Sequence, residues 1–215
     1  MGRIVASAHR RGSNSRLLRI IGGEWRGRRL RFPQSEAIRP TPDRVRETLF
    51  NWLADRVVGA RCLDLFAGSG ALGLEALSRG AAHVEFVEQE AAAASALERL
   101  LAQWGTGKAA VRRTDALQYL GARRSADVCR SSEEPPGAFD LVFLDPPFGT
   151  ELAAAAAERL ERSGWLAPRA LVYLEHPSRG EVPRMPPSWN ALRSKRAGEV
   201  GYDLFERATD TGSHR

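Results

Sequence analysis

From residue 61 to residue 175, short apolar runs alternate with longer segments of helical periodicity. The runs at 61–66, 83–88, 109–113, 138–144 and 170–175 have the length of strands. The segments between them, at 70–79, 90–104, 115–120 and 151–162, have the spacing of helices. Gly80 and Gly105 stand where two of these helices should stop. A strand followed by a helix cannot meet the next strand through a tight turn. It must lie parallel to it, with helices covering both faces of the sheet. The end of the chain breaks the pattern: 192–197 and 202–207 flank residues 198–201 and are expected to pair across a turn. The expectation is an α/β fold on a mostly parallel seven-stranded sheet, with an antiparallel hairpin at its C-terminal end.

Upstream, 18–21 and 28–32 read as two short strands around a Gly-rich turn at 22–27. Residues 43–57 carry Val45, Leu49, Trp52 and Leu53 at helical spacing, with Thr41 expected as the cap and Pro42 at the first helical position. The chain therefore divides into a basic tail at 1–15, a hairpin and capping helix at 16–58, a catalytic unit at 59–208 and a tail at 209–215. The polar, Pro-containing stretch 123–137 reads as a surface loop.

Charge is concentrated at the start. Residues 1–31 hold nine arginines and one acid, a net of +8, while the whole chain is +6, which leaves residues 32–215 at −2. Such an arm suits a polyanion, and a nucleic acid is the expected partner. Removing it should weaken RNA binding and flatten its salt dependence. No apolar run is long enough to span a membrane, and the arginines interrupt any signal core, so a cytoplasmic protein is expected. Cys62 and Cys129 fit no metal or redox spacing and are read as structural. No metal site is expected.

Ligands of parallel sheets bind beyond the carboxyl ends of the strands. Three such ends carry chemistry here: Asp64 with the loop Gly68-Ser-Gly70-Ala-Leu-Gly73, Glu88, and Asp145-Pro146-Pro147-Phe148. The glycine loop also matches a dinucleotide fingerprint, and Glu88 sits where an acid would hold ribose hydroxyls. Asp64 opposes that rival, since an anion beside a pyrophosphate is unwelcome. It suits a cationic cofactor such as S-adenosylmethionine, whose adenine amine Asp115 could hold besides capping a helix. The acid, prolines and aromatic at 145–148 form a rigid corner that can hold a planar amine between acceptors and a ring face.

These residues, together with the segments 19–30 and 39–52, resemble the RsmD type of bacterial 16S rRNA guanine-N2 methyltransferase, a family with the Rossmann-like class I methyltransferase fold. The resemblance covers residues 16–207. It implies an enzyme that methylates the N2 amine of a guanine in 16S rRNA, alone or within a small-subunit assembly particle, acting as a monomer. It implies catalytic roles for Asp145, Pro146 and Phe148. It implies cofactor contacts from Asp64, Phe66, Gly68, Gly70, Glu88, Gln89, Asp115 and Ala116, and RNA contacts from Arg26, Arg28, Arg39, Thr41 and Arg44. Two alternatives stay open: an amino methyltransferase acting on DNA adenine, and a non-catalytic RNA-binding assembly factor.

Overall fold

The computed structural model describes residues 15–33, 41–126 and 138–208. The expectations for residues 1–14, for Arg39, for Cys129, for most of the 123–137 loop and for 209–215 lie outside the described residues. Its elements in order are β1 (Ser15–Arg19), β2 (Arg29–Pro33), α1 (Asp43–Leu53), β3 (Arg61–Asp64), α2 (Ala71–Ser78), β4 (His83–Val87), α3 (Ala91–Trp104) and β5 (Ala109–Arg112). They continue with α4 (Ala116–Ala126), β6 (Phe139–Leu144), α5 (Leu152–Arg162), β7 (Leu166–Pro177), β8 (Trp189–Ala197) and β9 (Val200–Arg207).

Seven strands form one sheet in the order β5-β4-β3-β6-β7-β9-β8. Only β9 opposes its neighbours; the pairs among β3 to β7 are parallel. The chain winds outward from β3 to β5 and then returns to place β6 on the other side of β3. That reversal makes β3 and β6 the switch point, where a ligand crevice opens in sheets of this kind. Asp64 ends β3 and Asp145 directly follows β6, so the two acids flank it.

The centre of the sheet is buried on both faces, which is why β6 reads as an apolar run from Leu141 to Leu144. From Leu141 on its residues still alternate. Leu141 and Phe143 join α1, α2 and the β1–β2 hairpin on one side; Val142 and Leu144 join α5 on the other, as does Phe139, which lies before an irregularity in the strand's register.

The hairpin belongs to the same core, through Leu18, Ile20, Trp25, Leu30 and Phe32. Gly22 and Gly23 let it press onto the end of α2. Glu24 N–H donates to the Ser78 carbonyl at 2.7 Å, and a Cβ on Gly23, at φ +75°, would lie 1.8 Å from that oxygen. Trp25 packs edge-on against Trp104 of α3, with ring centroids 4.7 Å apart. Beneath it lies Glu75, fully buried, which accepts from the amides of Ile21 (2.9 Å) and Gly22 (2.7 Å) and pairs with Arg46 (3.4 Å) and Arg79 (2.9 Å).

Several boundaries differ from the sequence expectation, each for a local reason. Pro42, not Thr41, occupies the cap position of α1, and no side chain caps that helix. The Thr41 hydroxyl turns inward to Asp145 instead. The helix stops at Leu53 and passes into a single 3-10 turn, Ala54–Arg56. Helix α4 runs on to Ala126, into the stretch read as loop, because Arg and Ala favour a helix even without apolar spacing. Strand β7 begins at Leu166, before Pro168, with an irregularity in its pairing to β6 that tolerates the proline.

Candidate active site

At the carboxyl ends of β3, β4, β5, β6 and β7 lies a cavity of about 590 Å³. It brings together Asp64, Phe66, Gly68, Glu88, Gln89, Asp115, Ala116, Asp145, Pro146, Phe148 and Thr41 from the expected set. Four expected residues lie elsewhere. Gly70 does not line it: at φ +74° it starts α2, and a Cβ there would come within 2.3 Å of Leu97, so its reason is packing. Arg26 and Arg28 are exposed on the hairpin, away from the cavity, and Arg28 lies over the rings of Trp25 and Trp104 at 5.9 and 5.4 Å. Arg44 is exposed on the first turn of α1, two residues from Pro42 at the rim. Thr41, grouped by the sequence reading with RNA contacts, is 3% exposed and sits inside the pocket. Arg46, in the same segment, is fully buried and tied to Glu75, Asp43 and backbone carbonyls, which removes it from any RNA-facing surface.

The electrostatics of the cavity are one-sided. Asp64, Glu88, Glu90, Asp115, Asp145, Glu175 and Glu199 line it, and among the described residues no lysine, arginine or histidine does. Glu88 accepts from the amides of Gly68 and Glu90, each at 2.7 Å. The loop amide that would cradle a phosphate is thus already bound to a carboxylate. A carboxylate offers about four acceptor positions, so Glu88 retains two for a ligand's hydroxyls. Asp115 accepts from the Gln118 amide at 2.9 Å, which makes it the cap of α4 as well as a wall of the cavity.

Three neighbouring acids resist ionisation: Asp64 and Glu175 are buried, and Asp145 is half-buried at the cavity wall. Burial pushes Asp64 up to about 7, against the lowering effect of the Gly73 amide bonded to it at 3.0 Å; the charges of Glu88 and Glu175 raise it further. Burial, then the charges of Glu175 and Asp64, hold Asp145 well above the usual carboxylate range. Glu175 is raised to about 7, mainly by burial, although Thr41 and Tyr173 donate to it. Glu175 escaped the sequence reading because it sits inside a strand that runs on to Pro177, with no turn directly after it. Its signal was positional: Leu174 pairs with Leu144, so Glu175 stands beside Asp145 at the next step of two parallel strands.

Asp64 offers a direct check on this field. In the unfolded chain it loses its proton near pH 4, whereas the folded protein keeps that proton up to about pH 7. Between those values the native state binds more protons, so its stability falls as pH rises through the window and levels off above it. An Asn keeps the acceptor for Gly73 and cannot ionise. Denaturant unfolding of Asp64→Asn should therefore show a stability advantage over the native chain that grows from pH 4 to 7. A pH-independent difference would contradict the placement of this charge.

Outside the site, His176 is 4% exposed and bonds Asp203 at 2.9 Å and the Pro177 carbonyl at 2.8 Å, a structural role. Cys62 is fully buried in β3. No described helix is long and apolar enough to cross a membrane, and no described cluster of His, Cys, Asp and Glu could hold a metal ion.

This arrangement has close relatives. The family model described as Conserved hypothetical protein 95 matches residues 18–206. Ribosomal RNA small subunit methyltransferase D of Escherichia coli (strain K12) is 45% identical over 195 residues, which span 91% of this chain and 92% of that protein. The protein of the same name from Haemophilus influenzae is 42% identical over 190 residues, 88% of this chain and 93% of its own length. The solved Escherichia coli methyltransferase structure yhhF superposes with a TM-score of 0.78 at 44% identity, covering 89% of this chain and 98% of that one. The fold is accordingly the Rossmann-like one of class I methyltransferases, and the chain belongs to the Conserved hypothetical protein 95 family, the RsmD-type methyltransferases.

Proposed function

We propose that this protein carries a methyl group from S-adenosylmethionine to the exocyclic N2 amine of a guanine in small-subunit (16S) ribosomal RNA. The observation that carries the reading is a cavity lined by seven acids and no described cation, with Asp145 and the Pro146 carbonyl at the end of β6. A pyrophosphate would meet only repulsion there, which counts against the dinucleotide rival. A ligand bearing sulfonium and ammonium charges would relieve the buried acids. Glu88 has acceptors left for ribose hydroxyls, Asp115 stands where an adenine amine could be held, and Phe66, Gly68, Gln89 and Ala116 complete the walls. Bound there, S-adenosylmethionine supplies an electrophilic methyl group.

The chain's own residues act on the amine. Its lone pair is delocalised into the purine ring, so it is a poor nucleophile. Acceptors aimed at its two hydrogens favour the pyramidal nitrogen of the transition state, and the Asp145 carboxylate and Pro146 carbonyl are those acceptors. A carboxylate held above the usual range is also the better base for the proton that nitrogen must lose. Phe148, 41% exposed at the mouth, offers a face on which the base can stack. A base inside a helix cannot reach Asp145, so the target must be unpaired or flipped out.

The RNA side rests on the relatives' names and on the exposed arginines of the hairpin, Arg26, Arg28, Arg29 and Arg31, with Arg44 on α1. Whether the substrate is naked 16S rRNA or an assembly particle, it is met in the cytoplasm. A monomer is the working form proposed for that reaction. The cofactor assignment is tested by calorimetry: S-adenosylmethionine should bind and NAD should give no heat, whereas NAD binding without S-adenosylmethionine binding would overturn it.

A further inference from the structure

Among the described residues, few hydrogen-bond donors reach the two carboxylates at the inner end of the cavity. Asp145 and Glu175 follow the paired residues Leu144 and Leu174 on adjacent parallel strands, about 4.8 Å apart across the sheet. Strand periodicity turns both toward the face of Phe143 and Tyr173, where the start of α1 brings Thr41. The Thr41 hydroxyl lies 3.5 Å from Asp145 and also serves Glu175, but it has a single hydrogen and can satisfy only one of them at a time. Tyr173 donates to one Glu175 oxygen at 2.9 Å. Among the described residues no other donor is placed on either carboxylate, although Glu175 is 3% exposed. Glu175 is buried and Asp145 half-buried at the cavity wall, and acceptors placed this way are open to donors from a ligand.

We propose that Glu175 is the specificity-determining residue that reads the target base, accepting the N1–H of guanine while Asp145 accepts from its N2 amine. The inference rests on the guanine-N2 reading above and adds to it a reason for choosing guanine. Guanine is the purine whose Watson–Crick edge presents two neighbouring donors, N1–H and N2–H₂. Adenine sets its amine beside N1, a bare acceptor, and would press that lone pair against a buried carboxylate. Two adjacent carboxylates therefore match the guanine edge and reject the adenine one. A site built to hydrogen-bond a donor discriminates strongly against the analogue lacking it, because its own polar group is left unpaired. Thr41 and Tyr173 hold Glu175 in place without using up its acceptors.

The test uses single-stranded heptamers of uridine with one central purine: guanine, 2-aminopurine or hypoxanthine. 2-Aminopurine keeps the N2 amine but turns N1 into an acceptor; hypoxanthine keeps N1–H and lacks the amine. Binding to the full-length protein is read at pH 8, where Glu175 is ionised, from 2-aminopurine fluorescence and by competition with the other two. The native protein should bind the guanine heptamer about tenfold or more tighter than the 2-aminopurine one, the scale of a hydrogen bond to a charged group. In Glu175→Gln the side-chain amide can donate to N1, so the order should narrow or invert. Hypoxanthine binding should fall in Glu175→Gln. Equal binding of guanine and 2-aminopurine by the native protein overturns the role of Glu175 even if the variant fails to fold. Unchanged discrimination in a folded Glu175→Gln does the same. A native protein that prefers neither guanine nor hypoxanthine over an all-uridine heptamer, while still binding S-adenosylmethionine, overturns the guanine reading beneath it.

Discussion

Asp145→Ala should lower methyl transfer by about 10²–10⁴-fold, the usual contribution of a positioned acid–base group, and leave S-adenosylmethionine affinity nearly unchanged. Asp145 is asked to act on the amine and not on the cofactor. It follows the last residue of β6, and Thr41 at 3.5 Å is its sole described donor, so its removal disturbs little of the fold. Asp145→Asn keeps one carbonyl acceptor and loses the base, so it should fall between Ala and the native residue. Single-turnover rates and calorimetry separate the two effects. A near-native rate for the Ala variant would remove Asp145 from the mechanism; a parallel loss of cofactor affinity would reassign it to the cofactor.

The second large effect concerns stability. Arg46 and Glu75 are both fully buried and pair at 3.4 Å, while Glu75 also holds two amides of the hairpin turn. Removing one partner of a buried pair typically costs about 3–5 kcal/mol, and Arg79, which still pairs with Glu75 at 2.9 Å, holds the loss to the lower end of that range. Arg46→Ala should therefore lower the melting temperature by roughly 6 to 12 °C in a domain of this size. The exposed pair Arg162–Glu158 on α5 is the control: both side chains are more than half exposed, at 76% and 57%, and Arg162→Ala should cost under about 1 kcal/mol. Similar small shifts for both variants would mean that the hairpin is held by its apolar contacts alone. The same network limits what truncation can teach. Deleting residues 1–31 takes Leu18, Ile20, Trp25 and Leu30 out of the core along with the arginines, so loss of RNA binding in that deletion would not isolate charge.

What the sequence disclosed, and what it hid, follows from the range of the interactions. Asp64, Glu88 and Asp145 are legible because each ends an apolar strand and is followed by a turn, and the parallel topology then gathers the strand ends without further information. Glu175 and Glu75 are not legible in that way. Each sits inside an apolar element, and its role appears only when register or distant partners are known: Leu144 opposite Leu174 for one, Ile21 and Gly22 more than fifty residues away for the other. Thr41 misled because Thr-Pro before a helix has the local form of a cap, whereas a tertiary contact with Asp145 claims the hydroxyl. Arg46 was readable in principle. It stands three, four and seven residues before Leu49, Phe50 and Leu53, on the apolar face of α1, which its neighbour Arg44 is not.

The central claim is methyl transfer to guanine N2 in 16S rRNA, and its most direct measurement is the chemical identity of the product. Ribosomal RNA and small-subunit particles from cells lacking the gene would be incubated with the purified protein and S-adenosylmethionine labelled in the methyl group, then digested to nucleosides. The account predicts label in N2-methylguanosine from 16S rRNA, abolished by Asp145→Ala. Label in N6-methyladenosine or in protein, or no transfer to either form of the RNA by a protein that binds the cofactor, would contradict it.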